Sequence, residues 1–193
     1  IRLFWSGSVT HRIDLELLRN PLKRFKGRSV KMVIGGYLKK EGNEQQVVKI
    51  GKKSYYMYDR PEWEKMLSIV KDSGIDLDVI EFLPVDKYYG VYSKCDISLI
   101  PLVKNSFNPF KSNLKVLESA NIGAPVVVSR VDPYLGFPER FVNYVGRQGD
   151  WFKLINNLVG SEQMRIEQGL ELQEYCDRVY NFESINEHRR QIL

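Results

Sequence analysis

Short apolar runs alternate with amphipathic stretches along most of this sequence. The apolar runs are brief and rich in β-branched residues, which is typical of strands buried on both faces of a sheet. They predict strands at residues 2–5, 31–34, 79–82, 97–101, 125–129 and 142–145. The stretches between them predict helices at residues 13–22, 61–72, 85–92 and 115–120, and helices dominate from residue 150 to 193.

Proline and glycine mark several predicted boundaries. Pro61 suits the first turn of a helix, where its missing N–H has no partner to lose. Gly74 and Gly123 follow predicted helices, at positions that often need a positive φ. Pro21 is expected to close the first helix, and the glycines at 35–36 are expected to end the second strand.

Residues 37–60 break the alternation, because they are polar, contain glycine and suggest only a strand pair at 46–50 and 54–58. We expect them to form an excursion at the edge of the sheet. The remaining order of elements predicts an α/β fold, a Rossmann-like doubly wound parallel sheet with helices on both faces and a helical C-terminus. One domain at residues 1–193 accommodates it, and such sheets bind ligands outside the carboxyl ends of their strands.

Composition narrows the class of protein. The chain is 43% hydrophobic and 27% charged, as in soluble globular proteins, and no apolar run approaches the roughly 20 residues of a membrane span. Two cysteines give no metal spacing and no disulfide framework, so a cytoplasmic location is expected. A net charge of +5 suits a nucleotide diphosphate, a nucleic acid or an anionic membrane surface, and charge alone does not choose among them.

An anion site is predicted where the helix at 115–120 begins. Ser112 is expected to cap this helix, whose free amides and positive dipole end would lie at the carboxyl edge of a strand. Lys111 and Lys115 add positive charge, and helical spacing places both on one stripe with Glu118. The alternative is a solvated helix face with a weak Lys115–Glu118 ion pair.

The run LESANIGAPVVVS at residues 117–129 resembles the nucleotide-sugar-binding signature of the GT-B glycosyltransferases, most closely the retaining family 4. Weaker likeness follows in WSGSVTH, in FLPVDKYYGVYSKCDISLIPL and in the closing helices. The resemblance implies the C-terminal, donor-binding domain of a two-domain enzyme. Because the sequence opens at Ile1 inside a predicted strand, we expect it to be a fragment whose N-terminal acceptor domain is absent.

The implied reaction moves a sugar from a nucleotide diphosphate sugar to a saccharide or lipid-linked acceptor, with retention, in bacterial cell-surface polysaccharide synthesis. No cofactor and no metal ion are expected. Without the acceptor domain, we expect donor binding and no efficient transfer. The basic surface would contact the absent domain or the inner face of the membrane.

The resemblance also assigns candidate donor-binding residues. Glu118 matches the family's glutamate under the nucleotide and would accept hydrogen bonds from the ribose. The family usually has another acid eight positions earlier, which holds the donor sugar, but Phe110 stands there. A subset of related bacterial enzymes has a lysine and a serine before the helix. The diphosphate would then meet a set of side chains and amides at Lys111, Ser112, Asn113, Leu114 and Lys115.

Three other segments are candidates for donor contact. Gly7, Ser8 and His11 lie in a small loop after the first strand and suggest a second phosphate cradle. The alternative is that Thr10 caps the next helix and that His11 is a surface residue near the start of that helix. Phe82 and Leu83 end a strand where the resemblance implies contact with the nucleobase. The loop at 104–110 suits donor-sugar recognition, or its two phenylalanines anchor it to the core.

Two alternatives from other classes stay open. A non-catalytic nucleotide-binding or protein-interaction module would keep the same fold, and the lack of an acid at Phe110 favours it slightly. A nucleic-acid binder is supported only by the lysines and tyrosines at residues 52–60, which are more simply an exposed hairpin. Nucleophilic and zinc chemistry have little support, because the histidines and cysteines form no motif.

Overall fold

The computed structural model describes residues 1–37, 47–50, 53–56, 60–81 and 83–192. The strands are β1 Arg2–Ser6, β2 Lys31–Tyr37, β3 Val47–Ile50, β4 Lys53–Tyr56, β5 Asp76–Glu81, β6 Ile97–Ile100, β7 Val126–Ser129 and β8 Asn143–Val145. The α-helices are α1 Arg12–Glu16, α2 Arg19–Lys23, α3 Arg60–Lys71, α4 Leu114–Asn121, α5 Asp150–Gly160, α6 Glu162–Val179 and α7 Phe182–Ile192. Short 3₁₀ segments lie at Val9–His11, Val85–Lys94, Asn108–Phe110 and Asp132–Tyr134.

Six parallel strands form one sheet in the order β5-β2-β1-β6-β7-β8. Numbered along the chain without the β3–β4 pair, this is the 3-2-1-4-5-6 order of a Rossmann fold. The predicted fold class is therefore confirmed. The order reverses between β1 and β6, where Leu3 pairs with Ile97 and Phe4 with Ser98. This switch point is where doubly wound sheets open a crevice for a ligand.

Alternate side chains of each strand enter two different cores, because successive residues of a strand point to opposite faces. One face is covered by α1, α2, α3 and α5, which pack on Leu3, Trp5 and the residues of the adjacent strands that point to the same side. The opposite face carries Phe4 under the segment Val85–Lys94 and Val128 under α4 and α6. Helices cover both faces as predicted.

The first predicted helix, at residues 13–22, is wrong as a single element. The amides of Leu17 and Leu18 bond back three residues, to Asp14 and Leu15, which tightens the turn and separates α1 from α2. Pro21 does not end a helix but lies in the first turn of α2, where its missing N–H is tolerated. The break lets Leu15, Leu18 and Leu22 all be fully buried.

The second strand does not end at the glycine pair, as the sequence predicts, but runs through it to Tyr37. Its register with β5 shifts between Gly35 and Tyr37, and Gly36 has φ +93°. A Cβ on Gly36 would lie 2.9 Å from the carbonyl oxygen of Gly7. Only glycine therefore lets β2 pass this close to the loop that follows β1.

The other elements agree closely with the sequence. The antiparallel β3–β4 pair is confirmed. Strand β5 begins at Asp76, earlier than the predicted 79–82, and the prediction missed this start because Asp76 and Asp78 make the first half of the strand polar. The predicted helix at 85–92 is a 3₁₀ segment, Val85–Lys94. Gly123 has the positive φ, +65°, that the turn after α4 needs. Among the described helices, none combines the length and hydropathy that a membrane crossing requires.

Candidate functional site

A cavity of about 310 Å³ opens where β1 and β6 end, at the switch point of the sheet. Six of its lining residues were predicted from the sequence: His11, Lys111, Ser112, Leu114, Lys115 and Glu118. The others are Tyr88, Pro101, Leu102 and Tyr134. The loop after β1, the loop after β6 and the first turns of α4 thus meet around one space.

Helix α4 presents free amides to this region, but Ser112 does not cap it. The helix begins at Leu114, with Asn113 at the capping position and no side-chain cap. The prediction of a Ser112 cap is wrong, because the Asn113 carbonyl already accepts from the amides of Val116 and Leu117, which moves the helix start past Ser112. Within the described chain the amides of Leu114 and Lys115 have no acceptor, as expected for a first turn.

Lys115 is half-buried on the cavity wall. Its Nζ donates to the carbonyl oxygen of Ser6 at 2.7 Å and lies 5.3 Å from the Trp5 ring centroid. Burial lowers the pKa of Lys115 to about 8, and the charge of Lys111 acts in the same direction while that of Asp14 opposes it. A lysine held here against its desolvation cost gains a partner when an anion enters the cavity.

Glu118 is buried on the next turn of α4. Its Oε2 accepts from the Tyr92 hydroxyl at 2.5 Å, and the same hydroxyl lies 3.2 Å from Ser6 Oγ. Burial raises the pKa of Glu118, opposed by the Tyr92 hydrogen bond and by the charge of Lys115. No described residue donates a hydrogen bond to Oε1, and this oxygen is not fully buried, so it is free to accept a hydrogen bond from a ligand. A solvated Lys115–Glu118 ion pair is therefore not what the structure contains.

A buried carboxylate, Asp14, links the two loops at the switch point. Its Oδ1 accepts from the amide of Val103 at 2.8 Å, and its Oδ2 lies 2.7 Å from His11 Nδ1. Lys111 Nζ lies 3.9 Å from the same Oδ2 and 3.4 Å from His11 Nδ1. Lys111 has extended backbone and precedes the helix, so it reaches the cavity from the loop and not from the predicted helical stripe.

The loop at 104–110 holds its two phenylalanines out to solvent. Phe107 is 68% exposed and Phe110 is 85% exposed, so they do not anchor the loop to the core, and that alternative is wrong. The loop is held by its asparagines instead. Asn105 Oδ1 accepts from the amides of Phe107 and Asn108, and buried Asn108 donates from Nδ2 to the Val103 carbonyl oxygen at 2.7 Å.

Five predicted residues are described but do not line the cavity. Ser8 Oγ pairs with Thr10 Oγ1 at 2.6 Å, so Thr10 caps no helix. The Gly7 amide donates to the Gly35 carbonyl oxygen, and the Asn113 side chain donates to the Tyr180 hydroxyl. The other two are Leu83, which packs against the Phe4 cluster, and exposed Phe110. Phe82 lies outside the described residues.

Comparison with solved structures places this architecture among known folds. A sucrose-phosphate synthase from Thermosynechococcus elongatus matches with a TM-score of 0.69 and 17% identity, over 99% of this chain and 44% of that protein. A mutant of S. aureus TarM, in complex with fondaparinux, alpha-GlcNAc-glycerol and UDP, matches with a TM-score of 0.67 and 16% identity over 96% of this chain and 34% of its own. The fold is of the GT-B glycosyltransferase type.

A third GT-B structure is more distant. A UDP-forming trehalose-phosphate synthase from Burkholderia xenovorans matches with a TM-score of 0.55 and 8% identity, over 90% of this chain and 40% of that protein. The chain thus spans less than half the length of these GT-B proteins. No family model matches the sequence, and no curated protein does.

Sequence reasoning missed part of this candidate site. It did not find Asp14 or the tyrosines Tyr88, Tyr92 and Tyr134. The one available signal was the spacing of His11 and Asp14, which places two polar side chains three residues apart at the start of α1. In the parts of the chain that are described, no three His, Cys, Asp or Glu side chains are grouped to hold a metal ion.

Proposed function

We propose that this chain is the donor-binding domain of a glycosyltransferase that moves a sugar from a nucleotide diphosphate sugar to a saccharide or lipid-linked acceptor. The observation that carries this proposal is the meeting of two lysines, free helix amides and one buried glutamate in a single cavity at the switch point. Lysines and free amides bind an anion, and a carboxylate accepts hydrogen bonds from hydroxyl groups, so this lining suits a ligand that carries both.

The diphosphate would lie at the start of α4. There Lys111, Lys115 and the free amides of the first turn provide positive charge that needs no rearrangement when the leaving diphosphate gains charge. Lys115 is held in place by the Ser6 carbonyl, so its ammonium is positioned before the ligand arrives. The open Oε1 of Glu118 would accept from a ribose hydroxyl.

The structural neighbours support the nucleotide part of this proposal. TarM was solved with UDP, and the trehalose-phosphate synthase is described as UDP-forming. We therefore propose UDP as the first nucleotide to test. The acceptor, membrane contact and a role in cell-surface polysaccharide synthesis rest on the sequence resemblance alone.

Calorimetric titration with UDP, GDP and ADP tests donor binding. One nucleotide should bind selectively, and Lys111→Ala and Glu118→Ala should each weaken it by about tenfold or more, the loss expected for one charge-assisted hydrogen bond. Lys153→Ala is the matched control, because it removes an equal charge from an exposed position on α5. A folded chain that binds none of the three at millimolar concentration would contradict the proposal.

A non-catalytic module with the same fold is favoured by one observation, the exposed hydrocarbon side chain of Phe110 where related enzymes carry an acid. Measuring the consumption of donor sugar distinguishes this module from a glycosyltransferase. A protein containing this chain that binds the nucleotide but never consumes any donor sugar, across a panel of acceptors, would be such a module.

A further inference from the structure

Half-buried His11 lines the cavity, and buried Asp14 lies directly behind it. We propose that Asp14 fixes the tautomer of His11, so that His11 Nε2 accepts a hydrogen bond from a hydroxyl of the donor sugar. Asp14 is a positioning residue in this account, and His11 is the group that touches the sugar. The inference rests on the proposed function, because it assigns part of the same site to the sugar.

The position of the proton follows from the distances. Asp14 Oδ1 accepts from the Val103 amide at 2.8 Å, and Oδ2 lies 2.7 Å from His11 Nδ1. If Oδ2 and Nδ1 both presented lone pairs at this distance, they would repel each other, so a hydrogen must lie between these two atoms. Because Oδ1 accepts from an amide and Oδ2 also faces Lys111 Nζ at 3.9 Å, both Asp14 oxygens act as acceptors, and the hydrogen belongs to Nδ1.

The Lys111 ammonium lies beside the same ring nitrogen. Lys111 Nζ lies 3.4 Å from Nδ1, and since both atoms are then donors, this contact is not a hydrogen bond. Lys111 already balances the charge of Asp14, and Lys115 faces the same cavity. A neutral ring with its hydrogen on Nδ1 has a free lone pair on Nε2.

That lone pair is available to a ligand. His11 lines the cavity, its Nε2 has no partner in the described chain, and the atom is not enclosed. A neutral acceptor gains nothing from an ionised phosphate, which has no hydrogen to donate, but it matches a sugar hydroxyl. The cavity therefore separates two tasks: the lysines and amides take the diphosphate, and His11 takes a hydroxyl.

Nitrogen-15 NMR of the imidazole tests the tautomer without any ligand. The chain has two histidines, so a His188→Gln variant assigns the signals. At alkaline pH, where imidazoles are neutral, His11 should carry its hydrogen on Nδ1. In Asp14→Asn the amide oxygen can keep the Val103 bond and turn its NH₂ towards Nδ1, which should move the hydrogen to Nε2. Hydrogen on Nε2 in the unaltered chain, or an imidazolium there, would overturn the inference.

Calorimetry tests the sugar contact separately. UDP, UDP-glucose, UDP-galactose and UDP-N-acetylglucosamine are titrated into the unaltered chain, Asp14→Asn and His11→Ala, whose folding is checked by circular dichroism. The ratio of the affinity for the preferred sugar conjugate to the affinity for UDP should fall by about tenfold in both variants. The His11→Ala variant leaves the Asp14–Val103 bond in place, so it remains informative if Asp14→Asn does not fold.

The outcomes distinguish this inference from the proposed function. If no conjugate binds better than UDP, or if both variants weaken UDP and its conjugates equally, the inference fails and donor binding stands. If neither UDP nor any conjugate binds the folded chain, donor binding itself fails, and a correct tautomer would then establish only the His11–Asp14 geometry.

Discussion

The Tyr92 hydroxyl donates a hydrogen bond of 2.5 Å to Oε2 of Glu118, from the 3₁₀ segment Val85–Lys94 to helix α4. Both residues are buried. The bond occupies Oε2, and Oε1 has no partner among the described residues, so Oε1 is the oxygen through which Glu118 can accept from a ligand. Tyr92 is thus connected to the site although it does not line the cavity.

Replacing Tyr92 with phenylalanine should destabilise the chain. Tyr92→Phe removes the donor and leaves Oε2 of Glu118 buried without a partner, which costs about 1–3 kcal/mol of unfolding free energy. The pKa of Glu118, already raised by burial, should rise further because the Tyr92 hydrogen bond opposes that shift. Urea unfolding at neutral pH measures the free energy.

A double-mutant cycle with Glu118→Gln isolates the bond. We expect a coupling free energy above about 1 kcal/mol between the two positions. Ser6→Ala is the control, because it removes only the longer contact of the same hydroxyl, at 3.2 Å. Additive effects of Tyr92→Phe and Glu118→Gln would show that the bond contributes nothing.

Nucleotide affinity should depend on pH through Lys115. Burial lowers the pKa of Lys115 to about 8 in the free chain, and a bound diphosphate would favour its charged form. The affinity for UDP should therefore be highest below pH 8 and fall as pH rises above it, by up to tenfold per unit. Lys115→Met should bind UDP more weakly and lose this dependence between pH 7 and 9. An unchanged pH profile in the variant would contradict the role of Lys115.

The same group predicts how stability changes with pH. The folded pKa of about 8 is below the unfolded value of 10.5, so the unfolded chain binds more protons between these two values. The contribution of Lys115 to stability should then increase as pH rises from about 8 to 10.5, since the folded state no longer holds a desolvated charge. Urea unfolding across this pH range measures the unfolding free energy of the unaltered chain and of Lys115→Met. The difference between the two should increase with pH.

The fold was predictable because its strands are continuous apolar runs. Residues 126–129, for example, are buried on both faces, so they need no alternating pattern to be recognised. The errors in the predicted elements arose where the local sequence pattern disagrees with what tertiary packing requires. The α1–α2 break depends on burying Leu15, Leu18 and Leu22 together, and β5 is an edge strand whose aspartates hid its first half.

The candidate site was predictable only where its residues are close in sequence. Lys115 and Glu118 are one turn apart on a helix that follows a strand, so spacing alone places them together. Asp14 joins the site through the amide of Val103, 89 residues away, and Tyr92 joins it through Glu118, 26 residues away. Those contacts exist because β1 and β6 are neighbours, which no local pattern specifies.

The loop at 104–110 should lose its local order when Asn105 is changed. Asn105 Oδ1 accepts from the amides of Phe107 and Asn108, so Asn105→Ala should accelerate hydrogen exchange at both amides by about tenfold. The amides of Phe110 and Lys111 bond to backbone carbonyls and report whether the next turn follows. Unchanged exchange at Phe107 and Asn108 would show that the asparagine does not hold the loop.

The contact between α6 and the turn after α4 should tolerate no side chain. A Cβ on Gly169 would lie 1.8 Å from the carbonyl oxygen of Gly123, so Gly169→Ala forces the two backbones apart. We expect a loss of about 1–3 kcal/mol, as for overpacked cores, and a weaker nucleotide affinity if α4 shifts with the turn. Gly160→Ala, in α5, is the matched control, because a Cβ there meets nothing within 4 Å and alanine favours a helix. Equal urea midpoints for the two variants would contradict the close packing of α6 on this turn.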